Sequence, residues 1–257
     1  MKDSIIVIGL GELGSVFARG FLRLGYPVQG VSRDMDPSLV ANTIPNPTAV
    51  LIAVGEADIA QTLATLPTVW KDKVILLQNE LLPRDWQAAE IENPTVISVW
   101  FEKKKRMDSK VVLPSPIFGA NAKLVFDALS QIDLPSFILD SEDELTYELV
   151  RKNLYILTTN IAGLEVGGNV EGLANQHNAV MNSVANDVLD VQDWLTGTKN
   201  DRQRLMEGLL EAINGDLEHG CMGRSAPARL IRAISFADKA GLKIPTLRNI
   251  ANKHLKH

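Results

Sequence analysis

The chain has 257 residues, 46% hydrophobic, 22% charged and 5% aromatic, with a net charge of −5 and mean hydropathy near zero. That composition predicts a globular protein with one buried core or two and excludes a low-complexity chain. Cys221 is the only cysteine and the four histidines (His177, His219, His254, His257) are scattered, which excludes an internal disulfide and predicts no metal site.

From the N-terminus, residues 4–9 form a short β-branched apolar run. Apolar residues then recur at helical spacing through 12–24 (Leu13, Val16, Phe17, Phe21, Leu24), and Gly25 ends the pattern. A strand is predicted at 27–32, and further buried strands at 49–54, 74–78 and 95–99. A helix is expected at 56–66 and a helical or irregular stretch at 84–90. Strands alternating with helices predict a parallel sheet covered on both faces. Past Trp100, residues 110–113 and 117–119 read as strands at hairpin-like spacing, with Lys103–Arg106 as a solvated hairpin tip. A helix at 121–132 and a last strand at 136–139 follow. Beyond that strand signals stop, and helices are predicted at 142–167, 176–195, 201–218, 226–240 and 246–256. The shift in composition puts a domain boundary at 141/142.

Charge is unevenly distributed. Residues 142–218 carry 14 acidic and 5 basic side chains, and residues 224–257 carry 8 basic and 1 acidic. Two readings of the basic end are open: it packs against the acidic segment before it, or it faces an anion. The opening MKDSIIVIGLGELG runs into a glycine-rich turn with no cleavage site, and no apolar run reaches about 18 residues. The expectation is a cytoplasmic protein with neither a signal peptide nor a membrane span, and no aromatic ladder suggests a nucleic-acid partner.

The strongest motif is Gly9-Leu10-Gly11-Glu12-Leu13-Gly14, placed between a buried strand and an amphipathic helix. In that context the first glycine permits a tight turn, the second lets a pyrophosphate approach the backbone, and the third lets the helix pack on the strand. The helix start offers free N–H groups to phosphates. The fold class predicted is therefore α/β, an N-terminal Rossmann-type parallel-sheet domain (1–141) followed by an all-helical C-terminal domain (142–257).

After the second strand, where an acid would meet the ribose 2′-hydroxyl of NAD, the chain has Ser32-Arg33. These residues suit a 2′-phosphate and so favour NADP(H), with Asp34 close by. On the helix from 142, Lys152, Ile156 and Asn160 share one face. A lysine there either serves in proton transfer or lies at the edge of the buried face. Ser225, flanked by Arg224 and followed by Pro227, is placed to cap the helix 226–240, and the same helix start is suited to a carboxylate. His177 and His219 read as ordinary helix-face residues.

With GLGELG, SR, QNEL, RKNLYILTTN and AGLKIP in this order, the chain resembles the ketopantoate reductase (2-dehydropantoate 2-reductase) family over nearly its full length. The resemblance implies a Rossmann domain joined to a helical substrate and dimerisation domain, with NADP(H) as cofactor and a homodimer kept open. It implies catalytic roles for Lys152, Asn79 and Asn160 and a substrate-binding role for Ser225. Glu80 stands where the family has glycine, Ile156 where it often has a second asparagine, and the family's substrate-holding carboxylate has no counterpart. The segment from Ser225 to Pro245 is also shorter.

The expected activity is NADPH-dependent hydride transfer to a small keto acid, with Gly9, Leu10, Gly11, Glu12, Leu13, Gly14, Ser32 and Arg33 at the cofactor. Arg224 and Ser225 would receive the substrate carboxylate. Two alternatives are a β-hydroxyacid dehydrogenase-like oxidoreductase, which the opening segment equally resembles, and a non-catalytic NADP(H)-binding sensor or scaffold.

Overall fold

The structure is a computed structural model, and it describes residues 2–255. The chain divides into two compact units, one ending at Glu148 and the other beginning at Leu149.

The first unit is built on a seven-stranded sheet with strands β1 (Ile5–Ile8), β2 (Val28–Val31), β3 (Ala49–Ile52), β4 (Val74–Leu76), β5 (Thr95–Ile97), β8 (Ser115–Phe118) and β9 (Ser136–Ile138), in the order β2-β1-β3-β4-β5-β8-β9. All neighbours are parallel except β5 and β8. A parallel strand needs a crossover, and the connections carry α1 (Glu12–Arg23), α2 (Pro37–Thr43), α3 (Ile59–Ala64), α4 (Pro83–Gln87) and α5 (Ala122–Ser130), with a 3-10 turn at Thr68–Lys73. The sequence pattern did not predict α2. That helix is short, capped by the Asp36 carboxylate accepting from the Ser38 N–H, and buries only Ala41.

Ile5 and Val7 of β1 join Leu51, Ile75, Ile97 and Ile117 in one core with Phe17 and Phe21 of α1 and Val125 and Leu129 of α5. Side chains alternate along a strand, so Ile6 and Ile8, Val50 and Ile52, and Leu76 face the other way, and they too are buried. β1, β3 and β4 are thus covered on both faces, which is why they read as continuous apolar runs.

The expected hairpin between 110–113 and 117–119 does not form. β7 (Lys110–Val111) instead pairs antiparallel with β6 (Phe101–Glu102) in a separate two-stranded sheet, while β8 enters the main sheet beside β5. The N–H groups of Val112 and Leu113 both go to the Trp100 carbonyl, and the Ser115 hydroxyl accepts from the Trp100 N–H. Ser115, Pro116 and Ile117 are buried, and burial of that kind is available inside the large sheet and not in a free hairpin.

The second unit is helical. It holds most of α6 (Glu142–Val166), in which the division between the units falls, with α7 (Val170–Asn175), α8 (Asn178–Thr196), α9 (Arg202–Gly215), α10 (Ala226–Ala240) and α11 (Pro245–His254). α8 is the hub, packed against α7, α10 and α11. Met181, Val184, Ala185, Val188 and Leu189 form its buried face. Asp187 lies on the same face, and its carboxylate accepts from the backbone N–H of Thr246 at 2.7 Å and of Leu247 at 3.0 Å. It therefore satisfies the first N–H groups of α11 from a neighbouring helix. Burial pushes its carboxyl above the usual carboxylate range, and the two backbone donors partly offset this. Lys253 and His254, in the basic end, meet Glu165 of α6 at 2.6 and 2.7 Å. Both contacts fit the reading in which the basic end packs against the acidic segment. No helix of the described residues is long and apolar enough to cross a membrane.

Candidate active site

The glycine motif follows β1 at the carboxyl end of the sheet. Gly9 has φ +92, and a Cβ there would stand 2.7 Å from the Ala53 carbonyl oxygen. A Cβ on Gly14 would overlap the Gly9 carbonyl oxygen outright and crowd the Ala53 side chain at 3.2 Å. These two positions press α1 onto the turn and onto the segment after β3. At Gly11, the N-cap of α1, a Cβ would meet nothing within 4 Å. One glycine therefore faces open space at a helix start between two that are fixed by contact, the arrangement in which an anion can approach backbone N–H groups. The Ser15 hydroxyl donates to the Leu10 carbonyl at 3.1 Å and ties the turn to the first helical residues. Leu10 is half exposed, and Leu13 packs against the core.

Glu12 lies in the first turn of α1, where its charge would oppose a phosphate. Its carboxylate is 3.7 Å from the ammonium of Lys103, whose side chain is only 22% exposed. Lys103 also donates to the carbonyls of Lys104 and Met107. The basic run is thus not uniformly solvated: Lys104 to Arg106 are exposed, but Lys103 is folded back to neutralise Glu12.

Ser32 and Arg33 follow β2 on the same edge of the sheet and are exposed. The nearest anion to the Arg33 guanidinium is Asp58, at 3.9 Å. Because β1 lies between β2 and β3 in the sheet, the chain order reverses there, and the glycine turn sits at the switch point where open α/β sheets take ligands.

Asn79, after β4, donates from Nδ2 to the Glu56 carboxylate at 3.0 Å, and Glu56 lies just past β3. Its neighbour Gln78 is 7% exposed and donates to the carbonyls of Ile52 and Val54 at 2.6 and 3.3 Å, stitching the ends of β3 and β4 together. Glu80 has φ +64, so the left-handed turn that favours glycine is retained with a glutamate in it. In this unit the fold brings the glycine turn, Ser32-Arg33, Glu56 and Asn79 to one end of the sheet.

In the helical unit, Lys152 is half-buried on α6 with its ammonium 5.9 Å from the Tyr155 ring centroid. Asn160, two turns further on, is 8% exposed and accepts from the Arg229 guanidinium at 2.8 Å. Ser225 occupies the N-cap position of α10, but its side chain makes no capping hydrogen bond. The expected capping role is therefore corrected: its backbone carbonyl receives the Arg229 N–H at 2.9 Å and the hydroxyl is not used. Arg224 is exposed. His219 lies in the turn after α9, with its ring 6.3 Å from that of Tyr155, not on a helix face.

Arg229, Asp187 and Glu56 were not singled out from the sequence, and Lys103 was read only as part of a solvated tip. For Arg229 and Asp187 a signal existed, since each is a charged residue at an apolar position of its helix (Ala226, Leu230 and Ala233 in one case, Val184, Val188 and Val191 in the other).

An α/β unit of this topology followed by a helical unit defines a class of two-part folds, a Rossmann-type sheet joined to a helical unit. Within that class, the chain has the fold of the ketopantoate reductases. It superposes on a PanE/ApbA-family ketopantoate reductase from Ralstonia eutropha JMP134 with a TM-score of 0.67 at 12% identity, covering 97% of this chain and 96% of that one. A probable 2-dehydropantoate 2-reductase from Bacillus subtilis matches with a TM-score of 0.68 at 14% identity, covering 97% and 98%. A D-mandelate dehydrogenase in complex with NADH matches as well, at 0.67 and 13%, covering 98% and 97%. No protein-family model and no curated protein sequence matches the chain.

Proposed function

We propose that the protein is an NADPH-dependent reductase that transfers hydride to a small 2-keto acid, with residues 1–141 as the cofactor domain and 142–257 as the substrate and dimerisation domain. The observation that carries this reading is the glycine turn, in which Gly9 and Gly14 are fixed by contact and Gly11 is left open at the α1 N-terminus. Full-length likeness to ketopantoate reductases and to a D-mandelate dehydrogenase bound to NADH supports the reaction class.

The residues present fit the cofactor. Gly9 to Gly14 would cradle the pyrophosphate, with Leu10 and Leu13 flanking it and Glu12 neutralised by Lys103. Arg33 is extended into solvent beside Ser32 and is free to fork onto a 2′-phosphate, which favours NADP(H) over NAD(H). When bound, the nicotinamide supplies the hydride. The protein's own contribution is positioning and charge. The Lys152 ammonium gives a proton or a hydrogen bond to the carbonyl oxygen as it becomes an alkoxide, and Asn79 and Asn160 orient the keto acid. Arg224 and the uncommitted Ser225 hydroxyl receive the carboxylate at the start of α10, where the helix dipole favours an anion.

The test is NADPH oxidation by the purified protein across a panel of 2-keto acids, with light scattering to check for a homodimer. Lys152→Ala should lower kcat about 100-fold on the best substrate. Arg33→Ala should weaken NADPH about tenfold or more and leave NADH nearly unchanged. Tight NADPH binding with no turnover on any keto acid would replace this reading with the non-catalytic one. An equal effect of Arg33→Ala on both cofactors would remove Arg33 from the site.

A further inference from the structure

Asn160 and Arg229 are each 8% exposed, and the guanidinium Nη1 lies 2.8 Å from the Asn160 side-chain oxygen. An arginine has only donors, so the amide oxygen must face it and the orientation of the amide is decided. Its other end, Nδ2, donates to no group among the described residues and is not sealed from solvent. A side-chain amide in water turns over freely and offers either a donor or an acceptor. Here it is held as a donor.

The site carrying the pair is built for this. Arg229 sits one turn into α10, its N–H bonded to the Ser225 carbonyl, so its position is set by the same helix start that presents Ser225. Gly223 lies against Asn160, where a Cβ would stand 3.4 Å from Oδ1. The loop before α10, the helix start and Asn160 of α6 are thus held together around one oriented amide.

We propose that Arg229 is a positioning residue that makes Asn160 an obligate hydrogen-bond donor and so selects substrates presenting an oxygen acceptor at that point. This rests on the reductase reading and narrows it: the group met by Asn160 is a carboxylate or carbonyl oxygen of the keto acid. Without Arg229, the amide turns to either orientation and part of the binding is lost. With an aspartate at 160 the bond to arginine is kept, now as an ion pair, but the donor is gone.

The full-length protein with NADPH is assayed on the keto acid it reduces fastest, as wild type and as Arg229→Met, Arg229→Lys and Asn160→Asp. Binding of oxamate, a keto acid isostere, is followed in parallel through the Asn160 side-chain amide resonance. Arg229→Met should raise KM about tenfold with kcat changed by no more than about threefold. Arg229→Lys, which can still donate, should recover most of the loss. Asn160→Asp should unfold at or above the wild-type Tm yet raise KM about 100-fold or more, because two acceptors then meet. Cofactor affinity should not change in any variant. Should Arg229→Met fail to fold, Arg229→Lys and Asn160→Asp still decide. The inference is overturned if Asn160→Asp retains wild-type KM, or if oxamate leaves the Asn160 amide resonance of the wild type unmoved. Absence of turnover by the wild type on every keto acid sinks the reductase reading instead, and the oxamate titration separates the two failures.

Discussion

In the α/β unit the centre of the candidate site is a backbone turn. Gly9, Gly11 and Gly14 contribute no side chains, and what matters is how closely other chain segments approach them. In the helical unit the candidate site is carried by side chains, and among them Asn160 is paired out of water with Arg229. The two solutions fail differently. A backbone site is lost when a Cβ is added, because atoms overlap. A paired polar site is lost when one partner is removed, because the other stays buried without its bond.

The sharpest way to break this comparison is inside the glycine motif itself. Gly14→Ala puts a methyl group onto the Gly9 carbonyl oxygen, so α1 must lift from the turn. It should lose about 4 kcal/mol or more in stability, seen as a large fall in Tm or as insoluble protein. Gly11→Ala, three residues away and chemically identical, meets nothing within 4 Å. Its Tm should stay close to wild type, while NADPH affinity, measured by fluorescence titration, should fall at least about tenfold if the pyrophosphate approaches there. Equal losses of stability in the two variants would show that the turn is only a packing device.

Asp187 sharpens the other half of the comparison. Asp187→Ala leaves the N–H groups of Thr246 and Leu247 without their acceptor, and urea unfolding should show a loss of about 2–4 kcal/mol. Asp187→Asn keeps an acceptor oxygen and removes the buried charge, so it should cost less. The pH dependence has a definite sign. Because burial raises this carboxyl in the folded state, its ionisation opposes folding, and the penalty grows as pH rises through the folded-state pKa. Asp187→Asn should therefore compare worst with wild type in acid, where the native carboxyl is protonated, and better at neutral pH.

The same contrast explains what the sequence made legible. Parallel strands buried on both faces leave continuous apolar runs, and the glycine turn needs three glycines at fixed offsets, so β1, β3, β4, β5 and the cradle could be read directly. The run at 110–119 could not, because its strands look alike at short range and are assigned to different sheets by Trp100 and Ser115, which are distant in sequence from one partner or the other. Lys152 and Asn160 were visible as a helix face, but the partner of Asn160 lies 69 residues away, and nothing in the spacing of either helix pairs them. Ser225 shows the opposite error. Its sequence context is that of a cap, yet its φ and ψ of −84° and −2° are helical, which turns the hydroxyl from the N–H groups it was expected to receive.

The smallest effect is expected where charges meet at the surface of the helical unit. Glu165 is held below the usual carboxylate range by its bonds to Lys253 and His254, the charge contact between the acidic middle and the basic end. A lowered folded-state pKa means that the stabilisation is present above the unfolded value of about 4.3 and is lost as pH falls through the folded one. Glu165→Gln should thus lower Tm slightly at pH 7, by less than either preceding variant. The deficit should shrink in 1 M salt and vanish at a pH below the depressed pKa. A deficit that persisted in acid would mean that Glu165 acts through packing. The basic end would then be anchored to α6 by shape and not by charge.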